Sequence, residues 1–543
     1  MTIRSLRTQL ADDPDVGAGN VLTARIALGQ GLDEPLLTFD TPVDGHPAWQ
    51  PLTLRELDRA VRARAAALHG LGITRRDPVV VHASDAAEHV LAFLALARLG
   101  AVPALLNPNL DAERAARYIA RLGAVGVLAD PAHLAALAEY DPGAPLLPEI
   151  STLGAGDPDA APEPYRHWSG DPVAITHSSG TTGMPKAVVH SHAGLYAAIR
   201  HRLRLPRPQG QDRMLSALPA PHAATLIALN LALSSHTELA CLSGQSGAGV
   251  LDAIEQWHPT GVIGFAATWA DLAHHDLAAR DLASVALWWN TGDCAHEVHI
   301  RRLIATGSRE TVTRQGRTRQ PGSLFVDGLG STEMGHSHFF ITHGPGTDRY
   351  GRCVGRPHAF VDCEVVGPDG EPLGPGEVGE LATASPTLAL GYWNDSATTF
   401  RTRLRGRFLT GDLMYRDEEG YYYHVDRAVD SLELADGKRL FTAMSEERVL
   451  AARPDVLDCT VVAVRDGEQV VTDVLLLLGE DADRDAAAEA DRAEAVVAAL
   501  DEATAATVRK VLVVTGDDIP LGPTGKVRKV LLRERHLAAV SAR

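Results

Sequence analysis

Between about residues 20 and 480 the chain alternates short apolar runs with Ala/Leu-rich stretches of helical period, and this alternation restricts the fold more than any other feature. DPVVVHA (77–83) reads as a buried strand and AAEHVLAFLALARLGA (86–101) as the amphipathic helix behind it. AVGVLAD (124–130), DPVAITHS (171–178), GVIGFA (261–266), SVALWWNTG (284–292) and SLFVDGLG (323–330) read as further strands, several with helical stretches between them. Such a rhythm implies βαβ units and mostly parallel sheets covered by helices. After residue 350 the texture changes to short strands divided by PDG and Gly/Pro clusters, which predicts an antiparallel or barrel-like piece. From about residue 427 a compact unit follows, with paired strands over 456–478 and a long Ala-rich helix or helical linker over 481–508. The expected fold class is therefore α/β, in two domains. Residues 1–426 form helix-covered, mainly parallel sheets plus the barrel-like piece, and residues 427–543 form a small α+β unit.

Composition removes whole classes of function. With 51 basic against 69 acidic residues, the net charge of −18 argues against broad nucleic-acid binding, which needs a basic face. No run reaches the roughly 18 apolar residues of a membrane span, and the first 20 residues lack the apolar core of a signal peptide, so a cytoplasmic protein is expected. Cys241, Cys294, Cys353, Cys363 and Cys459 are scattered and form no CxxC pair, so neither a disulfide framework nor a zinc site is indicated. Nearly every cation is Arg; the lysines are Lys186, Lys438, Lys510, Lys526 and Lys529 alone. A lysine in such a chain points to chemistry, because its compact charge suits phosphate and carboxylate oxygens.

The segment with the most chemistry is Ser178-Ser179-Gly180-Thr181-Thr182-Gly183-Met184-Pro185-Lys186, directly after a strand. Small hydroxyl and glycine residues let backbone N–H groups approach an anion, and Lys186 closes the run with a positive charge. It is not the GxxxxGK[ST] loop. SSGTTGMPKAVVHSH resembles the signature loop of the adenylate-forming superfamily, comprising acyl-CoA synthetases, peptide-synthetase adenylation domains and luciferases. Members join a carboxylate to AMP with release of pyrophosphate, and most then pass the acyl group to a thiol.

The other landmarks of that superfamily follow in order across nearly the whole chain. Gly330-Ser331-Thr332-Glu333 resembles its second nucleotide motif, which assigns Thr332 to a phosphate oxygen and Glu333 to Mg²⁺, a hard cation that wants carboxylate oxygen. Leu329 stands where many relatives place an adenine-stacking Tyr. Thr410-Gly411-Asp412 resembles the TGD motif, which implies that Asp412 accepts from the ribose hydroxyls. Arg427 matches the Arg of GRxDD at the domain junction, where it meets ribose and phosphate. Around it the chain departs: Asp426 replaces Gly, Val429 replaces the hinge Asp or Lys, Glu433 replaces a Lys, and the later Gly comes one position late as Gly437. Pro520-Leu521-Gly522-Pro523-Thr524-Gly525-Lys526 resembles PxxxxGK, whose Lys enters the nucleotide site and stabilises charge on the substrate and the α-phosphate.

For the substrate pocket the resemblance places His222 beside the activated group, and Ala223 stands where amino-acid-activating relatives carry an Asp for the ammonium. A buried ammonium would lack a partner there, which disfavours an α-amino acid. Phe265, Ala266, Ala267, Trp269, Asn290, Thr291, Gly292 and Asp293 are the further pocket candidates. His296 and His299 are wrongly spaced for a shared helix face. His336, His338 and His343 read as a polar loop beside the nucleotide, and Trp288-Trp289 as strand core. The resemblance implies ATP and Mg²⁺ as cofactors, a small carboxylic acid as partner, and CoA as acceptor after the small domain rotates about 427–430. A carrier-protein thiol is a further acceptor. Two alternatives stay open: capture of the adenylate by an amine, or activation of nitrite for attack by an aryl amine; and an inactive nucleotide-binding homologue.

Overall fold

In the computed structural model, residues 5–178, 184–313, 316–434, 437–479, 482–522 and 525–541 are described. Two sheets carry the body. The smaller has six strands in the order Gly391–Tyr392, Ala187–Ser191, Pro172–His177, Val102–Leu105, Pro78–His82, Gly126–Ala129. Its strands Pro78–His82, Val102–Leu105 and Gly126–Ala129 are parallel, and their side chains are almost wholly buried, as expected of strands covered on both faces. The helix Ala86–Leu99 packs behind them and is buried nearly all round.

The larger sheet has 14 strands. Leu324–Asp327, Leu287–Asn290, Gly261–Gly264, Arg213–Ser216, Glu238–Cys241 and Pro35–Phe39 run parallel. From Leu324–Asp327 onward the sheet continues antiparallel through Phe339–His343, Cys353–Pro357, Tyr422–Arg427, Arg407–Arg416, Gly379–Ala384 and Asp362–Val366. The barrel-like piece expected after residue 350 is this open ribbon. Among the described residues no barrel closes, and Asp362–Val366 ends the run with a single partner. Short antiparallel strands and tight turns are common to ribbons and barrels, and closure depends on long-range pairing that local texture does not encode.

The C-terminal part has its own three-stranded sheet. Val456–Asp466 and Gln469–Leu478 form the expected hairpin, and Val508–Val514 adds in parallel. Helices Thr442–Ala452, Ala486–Ala499 and Lys529–Ser541 cover it around a core that includes Val449, Val461, Val474, Leu476 and Val496. The helix expected over 481–508 is shorter. It stops before Leu500, whose backbone is extended, and Asp501 caps a separate turn, Glu502–Ala505. No helix among the described residues is long and apolar enough to cross a membrane.

Candidate active site

The strands Pro172–His177 and Ala187–Ser191 pair antiparallel, and the Ser178 N–H donates to the Lys186 carbonyl at 3.2 Å. The signature loop is thus clamped at its two ends. Ser179, Gly180, Thr181, Thr182 and Gly183 lie outside the described residues, as do Pro523 and Thr524. The Lys186 ammonium stands 5.2 Å from the centroid of the Tyr392 ring, and the Tyr392 hydroxyl donates to Glu333 Oε1 at 3.1 Å. Burial and the Glu333 carboxylate push the Tyr392 phenol up, so it stays a donor. Lys186 and Glu333, from opposite sheets, are therefore joined through one phenol ring. The Glu333 carboxylate is a hard oxygen donor of the kind Mg²⁺ takes.

Thr332 faces His222. The His222 Nδ1 accepts from the Ala224 N–H at 3.1 Å and caps the helix Ala223–Leu233, which leaves the proton on Nε2, 3.4 Å from Thr332 Oγ1. Burial foremost, then His177, Lys526 and His190, pushes His222 down to about 3. It is a neutral donor at physiological pH. Its ring meets Phe265 edge-on, with centroids 4.9 Å apart.

Gly330 and Gly292 bring two loops together where no larger residue fits. The Gly330 N–H donates to the Gly292 carbonyl at 2.8 Å, and a Cβ on Gly330 would lie 2.7 Å from Ser337 Cα. Gly292 adopts φ +92°, with Phe265 3.3 Å from where its Cβ would be. Ser331 accepts from the Met334 N–H at 3.3 Å, and Thr291 shares a hydrogen bond of 2.9 Å with Ser337. Ala266 is half-buried beside them.

A charged cluster gathers around Asp412 and Asp293. The Arg427 Nε is 3.2 Å from Asp412 Oδ1, and the two residues are cross-strand partners. His424 Nε2 lies 3.5 Å from the same carboxylate, and His424 Nδ1 accepts from the Arg352 guanidinium at 2.7 Å. Burial works to raise the Asp412 carboxyl, but Arg427 and His424 hold it below the usual range. Asp293 stands 3.5 Å from the Lys526 ammonium, 3.9 Å from Arg352 and 4.0 Å from His424. Burial opposes its charge, yet Lys526, His424, Arg352 and Arg427 hold Asp293 well below the carboxylate range. Lys526 reaches it on a tight turn. The Gly522 N–H donates to the Lys526 carbonyl at 2.7 Å, and Gly525, at φ +76°, lies against Ala267 with only 3.2 Å for a Cβ.

Two pocket candidates stand behind this surface. Trp269 is 0% exposed, packs edge-on to Trp288 and Phe325, and donates its indole N–H to Asn290 Oδ1 at 2.8 Å. Asn290 is also 0% exposed and donates to Asp327 and to the Asp293 carbonyl, each at 2.6 Å. Both brace the loop that carries Thr291, Gly292 and Asp293, and neither opens to the cleft. Of the two tryptophans read as core, Trp288 is core, whereas Trp289 is half-buried under the Arg202 guanidinium. The three loop histidines separate: His338 bonds Thr383 and Thr387, His343 stacks on Tyr350, and His336 accompanies Ser337. His296 and His299 bind Glu447 and the Leu457 carbonyl in the C-terminal part. Among the described residues no cluster could hold a metal by His, Cys or carboxylates alone. Sequence reasoning missed Arg352, His424 and Arg202. In an Arg-rich chain nothing local marks a guanidinium that finds its partners across the fold.

The AMP-binding enzyme family matches residues 27–393. A 3-aminoavenalumate diazotase of Streptomyces sp is 43% identical, over 98% of each chain. A feruloyl-CoA synthase of Amycolatopsis sp is 28% identical, over 76% of this chain and 81% of its own. The fold is that of the anthranilate CoA ligase AuaEII solved with anthranoyl-AMP, at TM-score 0.83 and 20% identity over 98% and 99% of the two chains. With a family match over most of its length and a relative 43% identical over 98% of each chain, the chain belongs to the AMP-binding enzyme family and is an adenylate-forming enzyme.

Proposed function

We propose that this enzyme activates nitrite with ATP and uses it to diazotise an aromatic amine. The supporting observation is the contrast in likeness: 43% identity over 98% of both chains to a diazotase, against 28% over 76% of this chain to a CoA synthase. The altered junction points the same way. Asp426, which replaces a glycine, accepts from the Thr442 N–H and, at 3.1 Å, from its hydroxyl, while Asp430 pairs with Arg533 at 2.6 Å. The Asp426–Thr442 bonds thereby tie the stretch on which a thiol-transfer rotation would turn.

The residues take the following parts. Ser178, Lys186 and the 179–183 loop cradle the phosphates. Thr332 and the neutral His222 donate toward the reacting oxygens. Glu333 would hold Mg²⁺, which supplies charge neutralisation on the triphosphate. Asp412 and Arg427 take the ribose. A nitrite oxygen attacks the α-phosphorus, and the bond to pyrophosphate breaks as the new P–O bond forms. Lys526, released from Asp293, faces the charge gathering on those oxygens. The amine nitrogen then attacks the nitroso nitrogen. AMP leaves with the N–O bonding pair, a proton is lost, and the N-nitrosamine tautomerises to a diazohydroxide that loses hydroxide to give the diazonium ion. In this reading residue 427 is the border between the domains.

ATP–pyrophosphate exchange tests the proposal. Exchange driven by nitrite, with a diazonium product when an aryl amine is added, is the expected result. Exchange driven by a carboxylic acid, with a thioester when CoA is added, would replace it by the acid–CoA ligase reading that the feruloyl-CoA synthase likeness favours.

A further inference from the structure

Beside the strand Leu287–Asn290 stands a cation with no carboxylate partner among the described residues. Arg202 lies in the last turn of the helix Gly194–Leu203, with its guanidinium 4.4 Å from the centroid of the Trp289 ring. Among the described residues no carboxylate pairs with it, and its buried Nε has no hydrogen-bond partner. Its neighbours on the chain are satisfied: Arg200 donates to the carbonyls of Ala11, Asp13 and Val16, and Arg204 pairs with Asp12 at 3.7 Å. The charge nearest Arg202 is another cation, Arg7, which donates to the Arg202 carbonyl at 2.9 Å. Burial pushes Arg202 down to about 10, so it remains charged at neutral pH. Arg202 is half-buried, and a guanidinium held partly out of water without a carboxylate favours a ligand that supplies the anion.

The position of Arg202 links it to the reacting end. Side chains alternate along the strand Leu287–Asn290, so Trp288 and Asn290 face one side and Trp289 the other, where it packs half-buried against the cluster that includes Phe265. Thr291 bonds Ser337, and His336 follows, with its ring 5.8 Å from His358 and 6.1 Å from Phe360. Phe265, which follows the strand Gly261–Gly264 paired to this one, leads back to His222. Burial foremost pushes His336 to about 4 and His358 to about 3. These imidazoles are neutral and leave Arg202 as the local positive charge for a flat ligand between rings. A guanidinium fork matches a carboxylate through two parallel hydrogen bonds.

We propose that Arg202 receives the carboxylate of an amino-aryl acid, whose amine then points along Trp289, Thr291 and Phe265 toward Lys526. The proposal rests on the diazotisation reading, in which the carboxylate is a handle and not the activated group. In a thioester-forming enzyme the acid would lie the other way round, with its carboxylate at His222 and Lys526.

Calorimetric binding of 3-aminocinnamate and its amide, 3-aminocinnamamide, tests the site without any turnover. The wild-type protein should bind the acid about 30-fold more tightly than the amide. That preference should fall to within about threefold in R202M, and R202K should keep part of it because it retains the charge but not the fork. Equal binding of acid and amide by the wild-type protein overturns the proposal whatever becomes of the variants, and so does a preference that survives in a folded R202M. Nitrite-dependent pyrophosphate release by the wild-type protein is measured alongside. If nitrite releases none while the preference still depends on Arg202, the diazotisation reading fails and the carboxylate site stands.

Discussion

Two regions of the molecule treat charge in opposite ways. In one, Asp293, Arg352, Asp412, His424, Arg427 and Lys526 compensate one another within 2.7–4.0 Å. In the other, Arg202 has a ring beneath it and neutral imidazoles nearby, and no carboxylate among the described residues. A compensated network is already in place when the ligand arrives and loses little on binding. An uncompensated cation is a demand that a particular ligand meets, so it selects. In the proposed reading the compensated cluster serves the chemistry common to the family, and Arg202 selects the ligand.

The most severe way to break the comparison is Lys526→Ala. The side chain is 42% exposed, so the fold should persist, while nitrite-dependent pyrophosphate exchange should drop by about 10²–10³. An unchanged rate would remove Lys526 from the chemistry and leave Asp293 as its structural partner only. Asp412→Asn is milder. It keeps the shape but uncouples Arg427 and His424, and the KM for ATP should rise roughly tenfold or more, as expected for losing a charge-assisted contact. An unaltered KM would mean the ribose is held elsewhere.

The imidazoles sharpen the contrast through pH. His336 and His358 sit at about 4 and about 3 in the fold, against about 6.5 when unfolded. Between those values the unfolded chain binds more protons, so their contribution to stability is full above about pH 6.5 and is lost as pH falls toward 4. His222, at about 3, follows the same sign. The unfolding free energy from urea titration should fall from pH 7.5 to pH 5, by roughly 1–2 kcal/mol for each such imidazole. A stability that holds steady would mean these rings carry protons in the fold and add positive charge beside Arg202. The smallest effect belongs to Trp289→Leu. Losing the ring under Arg202 should cost about 1 kcal/mol of acid binding and leave the affinity for the amide nearly the same.

The parallel strands were legible because a strand buried on both faces is written as a short apolar run, as in Val79–Val81, bounded by turn residues. The open ribbon was not, because Asp362–Val366 carries no local mark of whether its outer edge finds a partner. The same divide runs through the site. Lys526, Asp412 and Arg427 were readable from tripeptide and heptapeptide patterns. That Lys526 meets Asp293, or that Arg352 orients His424 toward Asp412, is a product of the tertiary fold. Trp288 and Trp289 compress the lesson into one dipeptide: strand pleating sends the first into the core and the second to the opposite face, and only the neighbours decide which side is which.

The contacts between the body and the C-terminal part have a consequence for solubility. They include the His296–Glu447 pair at 2.6 Å, the His299 bond to the Leu457 carbonyl and the Asp426–Thr442 bonds. Were the two parts to separate, these contacts would place carboxylates, imidazoles and a hydroxyl in water, where each is readily hydrated. A joint held by greasy surface would instead expose an adhesive patch at every excursion.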